Sequence, residues 1–218
     1  MKAKKDILVM GLGIFGFELA KQLSRQKMNV VAVDKNRNVV NQIKEFVSEA
    51  IIADVSIEDT IKELSVDKYD CVVLGLSSNF EAEVLSVVYL RKYGAKYILC
   101  KANTEIQKHV LLKIGVDEVI LPEAEIASKV ATRIIMPSIL DIFHFSDDLI
   151  VATVEVPDEF VGRSLKELDL RNRYGLTVLT LKRGDTLRMV HSPDIVFEKG
   201  DSIMVLGEED KIRQQFKH

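Results

Sequence analysis

Residues 7–16 read Ile-Leu-Val-Met-Gly-Leu-Gly-Ile-Phe-Gly and residues 29–34 read Asn-Val-Val-Ala-Val-Asp, with a helical stretch between them. Gly11, Gly13 and Gly16 complete a GxGxxG motif directly after an apolar run, and Asp34 closes the next apolar run 18 residues beyond Gly16. Strand, glycines, helix, strand and terminal acid in this register make a dinucleotide-type binding unit, which a lone GxGxxG would not establish. Each part has a physical task. Gly11 permits the tight turn, Gly13 lets phosphate approach bare backbone, and Gly16 lets the helix pack on the sheet. The helix N-terminus adds oriented N–H groups and positive potential, and Asp34 would accept hydrogen bonds from ribose hydroxyls. The motif thus predicts an adenine nucleotide; the competing reading is a structural turn of the same shape.

Working outward, short apolar runs rich in Val and Ile recur at 7–10, 30–33, 50–53, 71–74, 97–100 and 118–121, separated by segments of helical periodicity. This alternation predicts an α/β fold, a Rossmann-type doubly wound parallel sheet. The runs are continuously apolar, as expected where helices cover both faces. Ligands in such sheets bind beyond the carboxyl ends of the strands. Position alone therefore nominates Gly11 to Gly16, Asp34, Asp54, Gly75 to Asn79, Lys101 and Glu123.

From Glu123 to about Phe145 the pattern reads as a long helical stretch, with Pro137 expected to break or kink it. Its apolar residues, among them Ile126, Val130, Ile134 and Phe143, fit packing on another subunit, or burial between two domains of one chain. Beyond Ser146 the strand patterns at 149–156, 176–181, 187–190 and 202–206, with Gly-Asp turns, predict a second, smaller α+β domain. The expected organisation is 1–122, a crossover and dimerisation segment over 123–146, and 147–218.

The 218 residues suffice for one medium and one small domain, and 47% apolar with 29% charged residues is the composition of a soluble globular protein. A formal net charge of −3 gives no electrostatic reason to expect nucleic acid. The opening Met-Lys-Ala-Lys-Lys imitates a signal peptide, but Asp6 interrupts it, so the expected location is cytoplasmic. No apolar run reaches the roughly 18 residues of a membrane-spanning helix, so a membrane role would act through a separate protein. Cys71 and Cys100 sit in strand patterns as reduced core residues, and the scattered His109, His144, His191 and His218 form no metal-ligand spacing.

Several positions carry two readings. Asp54 could accept from the exocyclic amine of adenine or serve as a helix N-terminal carboxylate. Lys101 could reach phosphate or be a surface cation. Ser77, Ser78 and Asn79 could cap the next helix, though their loop faces the nucleotide crevice. Glu123 opens a helix, where a carboxylate is commonplace. For hydride transfer a dehydrogenase needs a proton donor or acceptor beside the nicotinamide, and the C-terminal segment offers only His191 near Pro193. That favours a binding module over an enzyme.

Taken together, these stretches resemble the RCK family, the regulators of potassium conductance, in its cytosolic Ktr and Trk type subunits. In the first domain the likeness rests on Val9-Met-Gly-Leu-Gly-Ile-Phe-Gly, Val31-Ala-Val-Asp, Leu99-Cys-Lys-Ala-Asn, His109-Val-Leu-Leu-Lys-Ile-Gly-Val-Asp and Val119-Ile-Leu-Pro-Glu. In the second it rests on Val161-Gly-Arg-Ser-Leu-Lys-Glu-Leu-Asp-Leu, Leu179-Thr-Leu-Lys-Arg-Gly and Glu198-Lys-Gly-Asp-Ser-Ile-Met-Val-Leu-Gly-Glu. The resemblance implies a homodimer exchanging the crossover segment, dimers assembled into an octameric ring, and a membrane potassium pore subunit as partner. It implies ATP/ADP or NAD(H) as the ligand, with Mg2+ or Ca2+ at the dimer cleft and Glu123 as the metal carboxylate. Asp34 would hold the ribose, Asp54 would face adenine, the backbone of Gly13, Ile14, Phe15 and Gly16 would hold phosphate with Lys101 near it, and Lys35 would belong to the same cofactor-binding set. Ser77, Asn79 and Lys101 would complete the cofactor set, and some relatives also bind cyclic di-AMP between C-terminal domains. One departure stands out: many nucleotide-sensing members carry Arg where this chain has Ile14, and Ile14 cannot make a charge-assisted hydrogen bond to the terminal phosphate. The reading is a ligand-gated regulatory subunit; the alternatives are a small NAD-dependent oxidoreductase and a free nucleotide sensor for another partner.

Overall fold

The computed structural model describes residues 4–76, 79–146 and 148–216, and it divides into two compact units, Met1–Ala124 and Glu125–His218. The first unit alternates β1 (Asp6–Met10), α1 (Ile14–Arg25), β2 (Asn29–Asp34), α2 (Arg37–Ile43), β3 (Glu49–Ile52) and α3 (Glu58–Glu63). It continues with β4 (Cys71–Leu74), α4 (Phe80–Lys92), β5 (Ile98–Lys101), α5 (Glu105–Lys113), β6 (Glu118–Ile120) and the start of α6 (Pro122–Ile135). The six strands pair in the order β3-β2-β1-β4-β5-β6, all in parallel. This is the doubly wound arrangement, with its switch point between β1 and β4.

Alternate residues of β1 explain why the runs are continuously apolar. Leu8 and Met10 join one buried cluster with Val33 and Leu74, while Ile7 and Val9 join another with Val30 and Ala20 of α1. Both faces are covered over Ile7 to Met10, and those four positions are all apolar. Helix starts are fixed by short polar side chains: Asn36, Asn79 and Thr104 cap α2, α4 and α5 by accepting backbone N–H bonds.

The second unit holds β7 (Ile139–His144), β8 (Leu149–Glu155), the short helices α7 (Leu165–Leu168) and α8 (Leu170–Tyr174), β9 (Thr177–Arg183), β10 (Thr186–Met189), β11 (Ser202–Glu208) and α9 (Glu209–Gln215). Its five strands run antiparallel in the order β10-β9-β11-β8-β7 over a core that includes Phe160, Phe197, Ile203 and Phe216. A bidentate pair staples it: Arg183 Nε and Nη2 donate to the two oxygens of Asp201 at 2.9 and 2.8 Å. Asp201 is buried, and the Arg183 hydrogen bond holds its carboxyl below the usual range.

The helical expectation for 139–145 is corrected. Helix α6 stops at Ile135, two residues before Pro137, and Ile139–His144 forms the edge strand β7, paired with β8. Proline removes a donor and restricts its predecessor, and the β-branched and aromatic residues beyond it suit a strand. The spacing misled because the register shifts between Ile139 and Asp141, so Ile139 and Ile142, three apart, both turn into the core. The segment 123–146 is therefore a helix followed by a strand of the second sheet, not one helical crossover.

Candidate functional site

Beyond the carboxyl ends of β1, β2, β3 and β4 lies a cleft of about 410 Å³. Its walls include Gly11, Gly13, Asp34, Lys35, Asp54 and Asn79, six of the residues nominated from sequence. Asn36, Val39, Val55, Leu76 and Ala82 also line it. Among these, Asn36, Val39, Val55 and Ala82 escaped the sequence reading. Asn36 and Val55 sit one or two residues past the strand-end acids, which is the signal that could have found them.

The glycine loop shows which glycines the protein needs for itself. Gly11 has φ +88°, and a Cβ there would lie 2.9 Å from the backbone of Gly75. A Cβ on Gly16 would lie 2.0 Å from the carbonyl oxygen of Gly11, so that contact of helix and strand requires glycine. Gly13 differs: its φ is −63°, and a Cβ would meet none of the described residues within 4 Å. Neither backbone strain nor contact with the described residues calls for glycine at that position, and a Cβ there would stand in open space. Gly13 is also the N-cap of α1, with no side chain capping it and no acid in the first turn. The helix start offers uncompensated N–H groups and positive potential to an anion.

Asp34 ties the loop to β2. One carboxylate oxygen accepts the Leu12 N–H at 2.6 Å and the other the Asn36 N–H at 2.7 Å, leaving each a second lone pair. Asp54 accepts the Ser56 hydroxyl at 2.7 Å and the Ser56 N–H at 3.0 Å, and these bonds hold its carboxyl below the usual range. Lys35 stands 4.0 Å from it, exposed. Asn79 both caps α4 and lines the cleft.

Other nominated residues fall elsewhere. Ile14 opens α1 with its side chain in solvent, at 92% exposure, and Phe15 packs against the buried cluster that includes Val9 and Ala20. Phe15 and Gly16 therefore have structural tasks, and neither lines the cleft. Lys101 does not line it either: its ammonium lies 2.6 Å from Glu123, whose carboxyl that hydrogen bond pulls down. Ser77 and Ser78 lie outside the described residues. Glu123 presents one exposed carboxylate already engaged by a cation, and the described residues contain no group of three or more His, Cys, Asp or Glu that could hold a metal. Among the described residues Glu123 therefore has Lys101 as its partner and no further acidic, His or Cys ligands grouped with it. Cys71 and Cys100 are free thiols, and burial raises both.

Fold and cleft together define a Rossmann-type nucleotide-binding architecture joined to a small antiparallel α+β unit. Comparison with known proteins narrows the class: the TrkA-N domain model matches residues 7–122 and the TrkA-C domain model residues 149–217. The chain belongs to this family, the RCK proteins. It is 34% identical over 215 residues to Ktr system potassium uptake protein A of Vibrio alginolyticus, covering 98% of this chain and 97% of that one. Against Ktr system potassium uptake protein C of Bacillus subtilis the identity is 30% over 204 residues, 94% of this chain and 92% of the relative. The fold matches that of the GsuK channel bound to NAD, with a TM-score of 0.69 at 16% identity, across 100% of this chain and 40% of that larger one. Among the described residues no helix is long and apolar enough to cross a membrane.

Proposed function

We propose that this chain is a ligand-gated regulatory subunit of a potassium uptake system, in which an adenine nucleotide in the cleft biases a membrane pore formed by a separate protein. The observation that carries the nucleotide assignment is Gly13, a glycine that neither its φ nor the packing of the described residues requires, facing an open cleft at a helix start without a side-chain cap. Phosphate would take the Gly13 loop and the N-terminal N–H groups of Ile14, Phe15 and Gly16; ribose the free lone pairs of Asp34, flanked by Lys35; and adenine the neighbourhood of Asp54. The assignment to potassium uptake is supported by Ktr relatives matched over 97% and 92% of their length.

Gating requires that the nucleotide bind two shapes of an assembly with different affinity. Support for an assembly comes from α6, none of whose residues is buried although Ile126, Val130, Ile134 and Ile135 are apolar and exposed. A second copy would cover this face, and dimers would build an octameric ring. Lys101 would swing from Glu123 toward phosphate. Glu123 would then offer one oxygen to Mg2+ or Ca2+, the remaining ligands coming from phosphate or a second copy. In this reading Ile14 weakens discrimination between ATP and ADP and raises NAD(H) as a competitor. Cyclic di-AMP would belong to the smaller unit, where Lys166, Arg171 and His191 line a separate groove.

No catalysis is assigned to the chain. Cells lacking potassium uptake, given this chain with its pore partner, should grow at low potassium, and weakening the Asp34 site should impair that growth. Hydride turnover on alcohols, hydroxy acids or carbonyl compounds with NAD or NADH, together with no coupling to the pore protein, would replace the regulator by an oxidoreductase.

A further inference from the structure

Glu83 lies in the first turn of α4, immediately after Ala82, which lines the cleft wall with Asn79. It is 1% exposed, and among the described residues neither carboxylate oxygen has a hydrogen-bond partner. A carboxylate so placed has lost water without gaining donors, which disfavours its charged form. Burial pushes the carboxyl up to about 7, with the charge of Lys101 acting in the opposite direction.

Two groups on β5, the strand paired with β4, face it electrostatically: Lys101 and Cys100. Burial first, and the charge of Glu83 second, hold the Cys100 thiol protonated, so it does not compete for a proton near neutrality. Lys101 answers to two carboxylates. It is hydrogen-bonded to the exposed Glu123 at 2.6 Å, and it feels the buried Glu83, whose charge can change.

We propose that Glu83 is the proton-linked control group of the nucleotide cleft: ionised, it draws Lys101 inward and places a negative charge behind the Asn79 and Ala82 wall; protonated, it releases both effects. This rests on the reading of the cleft as a nucleotide site with Lys101 serving the phosphates. Both consequences of ionisation act in one direction, because each opposes an anionic ligand. By linkage, nucleotide binding then favours proton uptake at Glu83.

The test is calorimetric titration of ADP into the full chain and into Glu83→Gln, a neutral mimic of the protonated state. The ionisation of ADP itself is common to both proteins and cancels in the ratio of their affinities. At about pH 6 the two should bind equally, and at about pH 8 the parent should bind about fivefold more weakly than the variant, or worse. The same ratio at both pH values, with ADP bound, overturns the control role and leaves the nucleotide site standing. Absence of ADP binding by either protein at both pH values overturns the site reading itself, and the inference with it. A carbon NMR titration of the glutamate carboxyls in the unsubstituted chain needs no variant. One resonance with a midpoint near 7 supports the assignment, and titration of every glutamate in the ordinary range around 4.3 overturns it.

Discussion

Replacing Glu83 by Gln should make the stability of the first unit less dependent on pH, and the size of the change can be worked from the site. Glu83 is buried without donors, and its carboxyl rises from an ordinary value of 4.5 to about 7. A raised carboxyl binds its proton more tightly in the folded chain than in the unfolded one. The folded state therefore holds its full share of stability below 4.5 and loses it as pH rises through 7. Each pH unit of difference is worth about 1.4 kcal/mol, so the parent should lose about 3 kcal/mol relative to the Gln variant between about pH 4 and pH 8. For a unit of this size that is about 10 °C in melting temperature. Denaturant titrations of both proteins across this range would measure it, with the variant gaining on the parent as pH increases. Two parallel curves, separated by a constant offset, would show that Glu83 does not titrate in the folded chain and would refute the reasoning.

The remaining predictions concern other parts of the chain. Gly13→Ala should fold with unchanged stability and lose adenine nucleotide affinity, whereas Gly16→Ala should cost about 3 kcal/mol of stability, because its Cβ meets the Gly11 carbonyl; equal stability losses in the two would remove the ligand from the argument. Asp34→Ala should weaken nucleotide binding by about 1.5 to 3 kcal/mol by calorimetry, and unchanged affinity in a folded variant would remove the ribose assignment. Ile14→Arg should shift preference toward ATP over ADP, since it puts a cation at an exposed position of the helix start, and equal shifts for both would mean that this residue does not read the terminal phosphate. Arg183→Met should destabilise the second unit by about 3 kcal/mol near neutral pH, since it removes both Arg183 bonds to buried Asp201 and leaves that carboxylate the Glu198 N–H. The lowered carboxyl of Asp201 contributes stability above its ordinary 3.8 that is lost as pH falls through its folded value, so the deficit of the variant should narrow in acid.

Much of this architecture was legible because both faces of the central strands of the first sheet are covered, so β1, β2 and β4 announce themselves as apolar runs. The glycine motif and Asp34 were legible for a related reason: their chemistry is local, set by turn, strand end and helix start within a single unit. Strand β7 was not, because a register shift next to Ile139 imposes a three-residue spacing on a strand and imitates a helix. Glu83 was hidden for a different reason. In Phe80-Glu-Ala-Glu-Val a carboxylate looks like an ordinary residue of a solvated helical face, and only the folding of the first unit around α4 takes it from water. The pairing of Lys101 with Glu123 likewise depends on how β5 and α6 meet, which no local pattern encodes.

Helix α6 has 14 residues, none of them buried. An isolated helix of about this length is marginal in water, since propagation barely repays nucleation. Its order must then be borrowed from whatever covers it. Under the dimer reading, the exchange of its amide hydrogens becomes a function of protein concentration: fast in dilute solution, slow once copies associate, while the sheet amides stay protected throughout. Under that same reading dilution would loosen α6 ahead of either sheet, making the order of this one helix a sensor of how many neighbours the chain has.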